Sequence, residues 1–473
     1  MRKIKIFITI TSILLLSSCD SWLDVNPKTT MKADEMFKTQ QGYNDVLIGV
    51  YSLMATPNLY ADNLTYGFID ILAQYYEGIK NNTDHRFLNT IEYKYTEASE
   101  EARLQSIWRV HYKAIANINA MMLYIDKNKT VFSPGVYEVL KGEAIALRAY
   151  LHFNLVKLYG ESPVTGMNSK SIPYVDVYTN VAQPPLTVGE VLDRVIEDLK
   201  TAKELMREHD PYGVNYEELL GANISSILSG REYRMNYYAV TAALSSASLY
   251  AGNKAEALLN AKEIIGAVGQ EPVPPFKLSN ISTSPLATSE FIFALSVPKL
   301  KEYTEVYFGA DAGLYLSANL LAINSTTITS MYATQGSTSI DMRPVVFFSE
   351  SPSGNRQVAK FNNQTAIPMM KISELYLIAS EADESLANSL WYFNKFVANR
   401  GIVAFNDNIT RAELDNEIYK EYKKEFVGEG KLFWFYKRLN YNKIGATDSY
   451  EISDLNKVYT LPIPKSEYEF GNM

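Results

Sequence analysis

The chain is predicted to be mainly α-helical, a frame of helix pairs holding a loop-rich insertion with short strands. Apolar residues return every three or four positions over about 32–267 and again over about 369–438, the spacing that lines one face of a helix. Between them, over about 268–368, prolines and Ser/Thr-rich stretches interrupt that spacing and leave short runs of strand type.

Residues 1–19 stand apart from this frame. Arg2, Lys3 and Lys5 precede an apolar core from Ile6 to Leu16, too short to span a bilayer as a mature helix, and Leu16-Ser17-Ser18-Cys19 ends it with small residues before a cysteine. This is the pattern of a bacterial lipoprotein signal peptide over residues 1–18. Cleavage before Cys19, followed by acylation of its thiol and new amino group with fatty chains such as palmitate, would leave residues 19–473 as a body held on a membrane by a lipid anchor only. Cys19 is the only cysteine, so disulfides and thiolate metal sites are excluded.

Charge narrows the partners. The balance of 45 Lys+Arg against 53 Asp+Glu gives −8, and loss of residues 1–18 with their three cations brings it to 42 against 53, or −11. So acidic a body is a poor ligand for a phosphate backbone, and no nucleic-acid partner is expected. No Gly/Ser-rich or Pro-rich linker divides the body, which is read as one domain.

The helices follow in order. Leu104, Ile107, Trp108, His111, Ile115, Ile118, Met122 and Ile125 form one stripe; Leu140, Ala144, Leu147, Leu151, Leu155 and Leu158 form the next, after a break at Pro134-Gly135. The two are expected to face each other as a hairpin. Thr187-x-x-Glu190 behind Pro184-Pro185 is a capping box, opening a helix whose buried side carries Val191, Leu192, Val195, Ile196, Leu199, Ala202 and Leu205. A pair over about 232–251 and 254–267 turns at Gly252-Asn253 and places Ala239, Ala243, Ala247, Ala257 and Ala261 where two helices can approach closely. Helix, short turn, helix with alanines at the crossing resembles tetratricopeptide packing, although the full repeat signature is not met. In the insertion, Phe291-Ile292-Phe293-Ala294-Leu295 and Val345-Val346-Phe347-Phe348 read as strands; helices resume at about 369–400 and 410–438.

In sequence order these pieces resemble the SusD/RagB family, the surface lipoproteins that partner TonB-dependent barrels in outer-membrane nutrient uptake. Trp22-Leu23-Asp24-Val25-Asn26-Pro27 is similar to its opening segment, followed by Phe37 and Gly49-Val50-Tyr51. Trp108, Tyr112, Ile115 and Asn119 match its first long helix; Gly142-Glu143-Ala144, Leu147-Arg148-Ala149-Tyr150, Tyr159-Gly160 and Pro163 resemble its most recognisable one. Glu374-Leu375-Tyr376, Ala379, Glu381-Ala382, Asn394 and Arg400-Gly401 resemble the late helix pair, and Leu461-Pro462-Ile463-Pro464 with Glu467 the close. One departure is specific: where the family usually carries an Arg and an Asp three apart after Glu-Gly, this chain has Leu432 and Phe435, so a charge pair is expected to have been exchanged as a unit for an apolar contact. A short turn around Asn388-Ser389 is also expected.

The resemblance implies a SusD-like fold, residence in the outer membrane facing the cell surface, and a SusC-like TonB-dependent transporter as partner. It also implies an oligosaccharide or peptide ligand, with a glycan preferred, and no cofactor. The residues themselves argue against an enzyme: His85, His111, His152 and His209 show no metal spacing, and HExxH, GxSxG and phosphate-cradling glycine loops are missing. Sugar rings pack on exposed aromatics beside amides and charges. The aromatics off the helical stripes are Tyr60, Tyr66, Tyr75 and Tyr76, with Asp62, Asn81, Asn82 and Arg86, and, in the insertion, Tyr303, Tyr307, Tyr315 and Tyr332. Of these, Tyr66, Tyr75, Tyr76, Asn81, Arg86, Tyr303, Tyr307 and Tyr315 are the candidate ligand contacts, each against the alternative of packing at the edge of the core. The family builds its ligand surface from these two regions. Asp341-x-Arg343 resembles a family motif and is read as a structural ion pair. A helical-repeat scaffold holding another protein is the alternative from a different class.

Overall fold

A computed structural model describes residues 33–219, 225–281, 285–309, 318–334, 340–351, 354–469 and 471. Cys19, the signal segment, the Trp22–Pro27 motif and Tyr315 lie outside the described residues.

The first helix used here, α1 (Gln40–Met54), starts at Thr39, whose side chain accepts from the Gly42 N–H. The expected hairpin forms from α2 (Ala98–Ile125) and α3 (Val136–Tyr159), with Gly135 in the left-handed region at the entrance to α3. Next come α4 (Val188–Met206), opened by the Thr187/Glu190 capping box, then α5 (Tyr237–Tyr250) and α6 (Lys254–Ile265), whose five interface alanines are buried. The insertion supplies β1 (Phe291–Ser296), α7 (Leu300–Phe308), β2 (Phe348–Glu350), β3 (Arg356–Val358) and β4 (Ala366–Lys371). The frame ends with α8 (Ile372–Ala382), α9 (Leu386–Ala398), α10 (Arg411–Glu425) and α11 (Leu432–Leu439). Contacts run α1 to α2, α2 to α3, α3 to α4, α4 to α5, α5 to α6, α6 to α8 and α8 to α9, so helix pairs stack side by side in chain order. Their buried apolar side chains form one cluster running from Phe37 to Leu461.

Five local expectations change. The helix expected from 232 starts at 237, because Asn236 caps it by accepting from the Ala239 N–H. Residues 366–371 are a strand pairing antiparallel with β1, so the helix expected from 369 starts at Ile372. Val345-Val346-Phe347 lies in a short helix, Arg343–Phe347, with Pro344 in its first turn; only Phe348 joins a strand. The helix expected over 410–438 breaks at 426–431, where Gly428 and Gly430 have positive φ. At Gly430 a Cβ would meet the Leu64 carbonyl oxygen at 2.3 Å. The Asp70 carboxylate accepts from both glycine N–H groups, at 2.6 and 3.0 Å, and fixes that break. The turn expected around Asn388-Ser389 instead lies at 383–385, before α9.

Charges that resemble family positions are structural. Arg343 is fully buried and pairs with Asp341, Glu421 and Glu425, as the ion-pair reading of Asp341-x-Arg343 expects. Buried Glu143 takes Arg231, Arg234 and the Tyr51 hydroxyl; Arg148 bonds Asp198 and Asn119. Leu432 and Phe435 are both buried, and Phe435 packs on Tyr422 with ring centroids 4.4 Å apart.

Candidate ligand-binding site

The two regions singled out from the sequence meet. Glu77 N–H donates to the Ala322 carbonyl at 2.9 Å and Arg86 N–H to the Ala318 carbonyl at 3.0 Å, so residues 318–324 run beside 77–86. Side chains lock the junction. The Glu77 carboxylate accepts from Asn324 N–H at 2.6 Å and from the Thr327 hydroxyl at 3.0 Å. His85 Nδ1 accepts from Phe87 N–H, which leaves Nε2–H to donate to the Leu320 carbonyl at 3.2 Å. Burial pushes the His85 pKa down and holds that neutral form.

Most of the candidate tyrosines are not available. Tyr66 and Tyr75 are completely buried, and Tyr76 and Tyr307 nearly so. Their hydroxyls are spent inside the protein: Tyr66 on the Ala61 carbonyl, Tyr75 on the Lys423 carbonyl, Tyr76 on the Tyr66 carbonyl and Tyr307 on Asp62 at 2.5 Å. Tyr60 and Tyr332 are buried too. The expectation that these rings are open to a ligand is therefore corrected. Tyr66, Tyr75 and Tyr76 are carried into the core by loop and turn segments, and Tyr307 by the buried face of α7.

What remains at the junction is polar and open. Asn81 and Arg86 are exposed, and the Arg86 guanidinium lies 4.9 Å from the Phe87 ring centroid and 5.4 Å from that of Tyr307. Beneath it, Asp62 is buried; desolvation raises its pKa, while the Tyr307 hydroxyl, Arg86 and Arg103 work in the other direction. Tyr303, one turn before Tyr307 on α7, is half-buried and faces a cleft of about 720 Å3. Asn44, Ile48, Tyr51 and Ser52 of α1 form one wall; Ser226, Ser229, Tyr233 and Arg234 form another, and Ser296 to Lys299 close the third side.

Tyr233, 45% exposed, is the aromatic that sequence reasoning missed, because it fell inside the expected helix 232–251. Asn236 as a cap residue was the signal that could have placed it in the preceding loop. The cleft thus offers exposed aromatic faces beside hydroxyls, an amide and cations, the chemistry that holds a sugar. Among the described residues no group of three or more His, Cys, Asp or Glu is arranged to hold a metal ion, and no helix is long and apolar enough to cross a membrane.

Residues 21–215 match the SusD-like family model described as starch-binding associating with outer membrane. A SusD-like protein of Formosa agariphila is 26% identical over 251 residues, 52% of this chain and 47% of its own length. A second from the same organism is 22% identical over 215 residues, 43% and 38%. In both cases the match spans less than half of the relative. A SusD superfamily structure from Bacteroides fragilis covers 92% of this chain and 99% of its own, with a TM-score of 0.71 and 19% identity. A SusD-like carbohydrate binding protein from Bacteroides vulgatus covers 91% and 96%, with a TM-score of 0.67 and 18% identity.

Proposed function

We propose that this chain is a member of the SusD/RagB family, a non-catalytic surface lipoprotein, held in the outer membrane by acylated Cys19, that captures an oligomeric nutrient and passes it to a SusC-like TonB-dependent transporter. A glycan is the preferred ligand. The observation that carries this reading is the pairing of residues 77–86 with 318–324 beside Arg86, whose guanidinium lies on Tyr307, one turn of α7 from Tyr303 in a cleft that also bears Tyr233. The matching family model's description and the carbohydrate binding neighbour support it.

Capture of this kind needs no bond-making chemistry, only a difference in affinity between the free and transporter-docked states, with import energy supplied by the partner. A glycan and peptide array probed with the full chain in detergent tests the ligand. Binding to glycans that falls with Tyr233→Ala is expected; binding to peptides alone would move the chain to the peptide-capturing side of the family. Affinity purification from mild detergent should recover a much larger barrel. Recovery of the lipoprotein alone across several growth substrates would favour the scaffold alternative.

A further inference from the structure

The solvent face of α2 carries charge of one sign. Arg109, Lys113, Ala116 and Leu123 recur at three- and four-residue steps and Lys127 follows in the turn beyond, so these exposed side chains share one stripe. No Asp or Glu occupies a stripe position, in a chain whose net charge is −8. Among the described residues the side chains of Arg109, Lys113 and Lys127 make no hydrogen bond, ion pair or ring contact. The carboxylates at the borders are taken by other cations: Glu101 by Lys465, Asp126 by Lys141 and Asp176 by Arg194, at 2.6, 2.6 and 3.2 Å.

Apolar side chains stand beside these cations. Asn119 on α2 donates to the Val175 and Val177 carbonyls at 2.9 and 3.2 Å, which lays the following loop along the helix, and Val181 lines the same groove as Arg109 and Ala116. Leu123, Val177, Tyr178 and Val181 are between 42% and 66% exposed, so four large apolar side chains face water in one neighbourhood. The chain also enters the fold here. Phe37 stacks on Tyr124 with ring centroids 4.7 Å apart, and Asp34 and Tyr178 both lie beside Tyr124. The 13 residues between Cys19 and Ala33 reach about 50 Å at full stretch, so an acylated Cys19 keeps this end of α2 near the bilayer.

We propose that this face of α2 and the loop 177–183 rests on a lipid surface with anionic headgroups, Arg109, Lys113 and Lys127 meeting the phosphates and Leu123, Tyr178 and Val181 entering the headgroup layer. The net negative charge of the chain does not prevent it, because salt screens charges beyond about 8 Å and only the nearest ones count. Three cations and a few apolar side chains orient the body without holding it alone, so Cys19 remains the anchor. The contact rests on that anchor in the proposed function, and the test separates the two.

Processed Cys19→Ala protein carries no acyl chain, so its sedimentation with vesicles reads this face alone. At low salt at least about fivefold more should sediment with vesicles holding about 30% phosphatidylglycerol than with phosphatidylcholine alone, and about 0.5 M salt should abolish the excess. Lys113→Gln should cut the excess about threefold or more and Val181→Ser about twofold or more, with melting temperatures unchanged because both positions are exposed. Lys277→Gln, at an exposed cation of the insertion, should leave it unchanged. Equal sedimentation with the two vesicles overturns the proposal, as does an equal loss in Lys277→Gln and Lys113→Gln. Loss of the transporter from affinity purification of Lys113→Gln, without vesicle binding, would overturn it too and give the face to a protein partner. Wild-type lipoprotein still held in membranes in any of these outcomes leaves the Cys19 anchor standing. Wild-type protein found without acyl chains removes the anchor, and vesicle binding then stands or falls by itself.

Discussion

Arg400 and Glu425 meet end to end with neither exposed to solvent: Nε donates to Oε2 at 2.9 Å and Nη2 to Oε1 at 2.8 Å. Glu425 also takes Arg343 at 3.2 Å and Lys371 at 3.5 Å, while Arg400 takes Glu290. One carboxylate on α10 therefore joins the end of α9 to two parts of the insertion, and Arg400 reaches a third through Glu290. Removing it would take one carboxylate from each of Arg343, Arg400 and Lys371 in a site that water does not reach, leaving them Asp341 and Glu421, Glu290, and Glu429. Glu425→Ala is expected to cost about 3–5 kcal/mol, the usual penalty for breaking a buried pair on one side. Chemical unfolding measures it, and a loss under about 1 kcal/mol would show that water or a rearranged carboxylate replaces Glu425.

The tyrosines and the open polar residues separate by the same kind of measurement. Tyr75→Ala removes a fully buried ring and should cost about 3–5 kcal/mol of stability. Arg86→Ala and Asn81→Ala, both exposed, should stay within about 0.5 kcal/mol. If Arg86 holds the ligand, its loss should weaken binding by about 1–3 kcal/mol with the melting temperature unchanged. Unchanged affinity in Arg86→Ala and Asn81→Ala would move the contact surface wholly into the cleft beside Tyr233.

These residues also show what the sequence could and could not say. The stripes from Leu104 to Ile125 and from Leu140 to Leu158, the Thr187/Glu190 cap and the alanine crossing were legible because each depends on spacing within one element. The fate of Tyr75 was not, since its hydroxyl reaches the Lys423 carbonyl, 348 positions away, and Tyr307 meets Asp62 across 245. A tyrosine in a loop reads alike whether the loop faces solvent or folds inward. The exposure of Asn81 and Arg86 was legible for a local reason: short polar side chains and an arginine in a turn-rich segment remain outside. The strand at 366–371 was hidden because Met369 and Met370 continue the apolar run of α8, and only pairing with β1 distinguishes them.

Membrane attachment by Cys19 gives a direct test. Acyl chains on Cys19 are the proposed tether, and no described helix is long and apolar enough to replace them. Cys19→Ala should fold with an unchanged melting temperature and move from the detergent phase to the aqueous phase in a two-phase partition. A processed variant that still enters the detergent phase would place the anchor elsewhere.

Stability should depend on pH in a range set by histidine. Val175 N–H donates to His152 Nε2 at 3.0 Å, so that nitrogen holds a lone pair, and Nδ1 carries the proton given to the Arg148 carbonyl at 2.9 Å. The ring also stacks on Tyr174 at 4.0 Å, tying residues 174–175 to α3. Burial first, then Arg148, hold its pKa down at about 3, against an ordinary 6.5. The unfolded chain therefore takes up a proton that the folded one refuses, and stability falls as pH drops below about 6.5. His111, buried and lowered to about 4, acts in the same direction. Glu425 is held well below 4.5 mainly by Arg400 and Lys371 against the opposing effect of burial, so its loss begins only in more acid solution. The melting temperature should decline between about pH 6.5 and 5. In His152→Gln, which starts lower but cannot titrate, that decline should shrink to the part His111 and His85 supply. A wild-type melting temperature that stays constant from about pH 7 to 5 would mean that the ring accepts a proton in place, with the Val175 contact already broken.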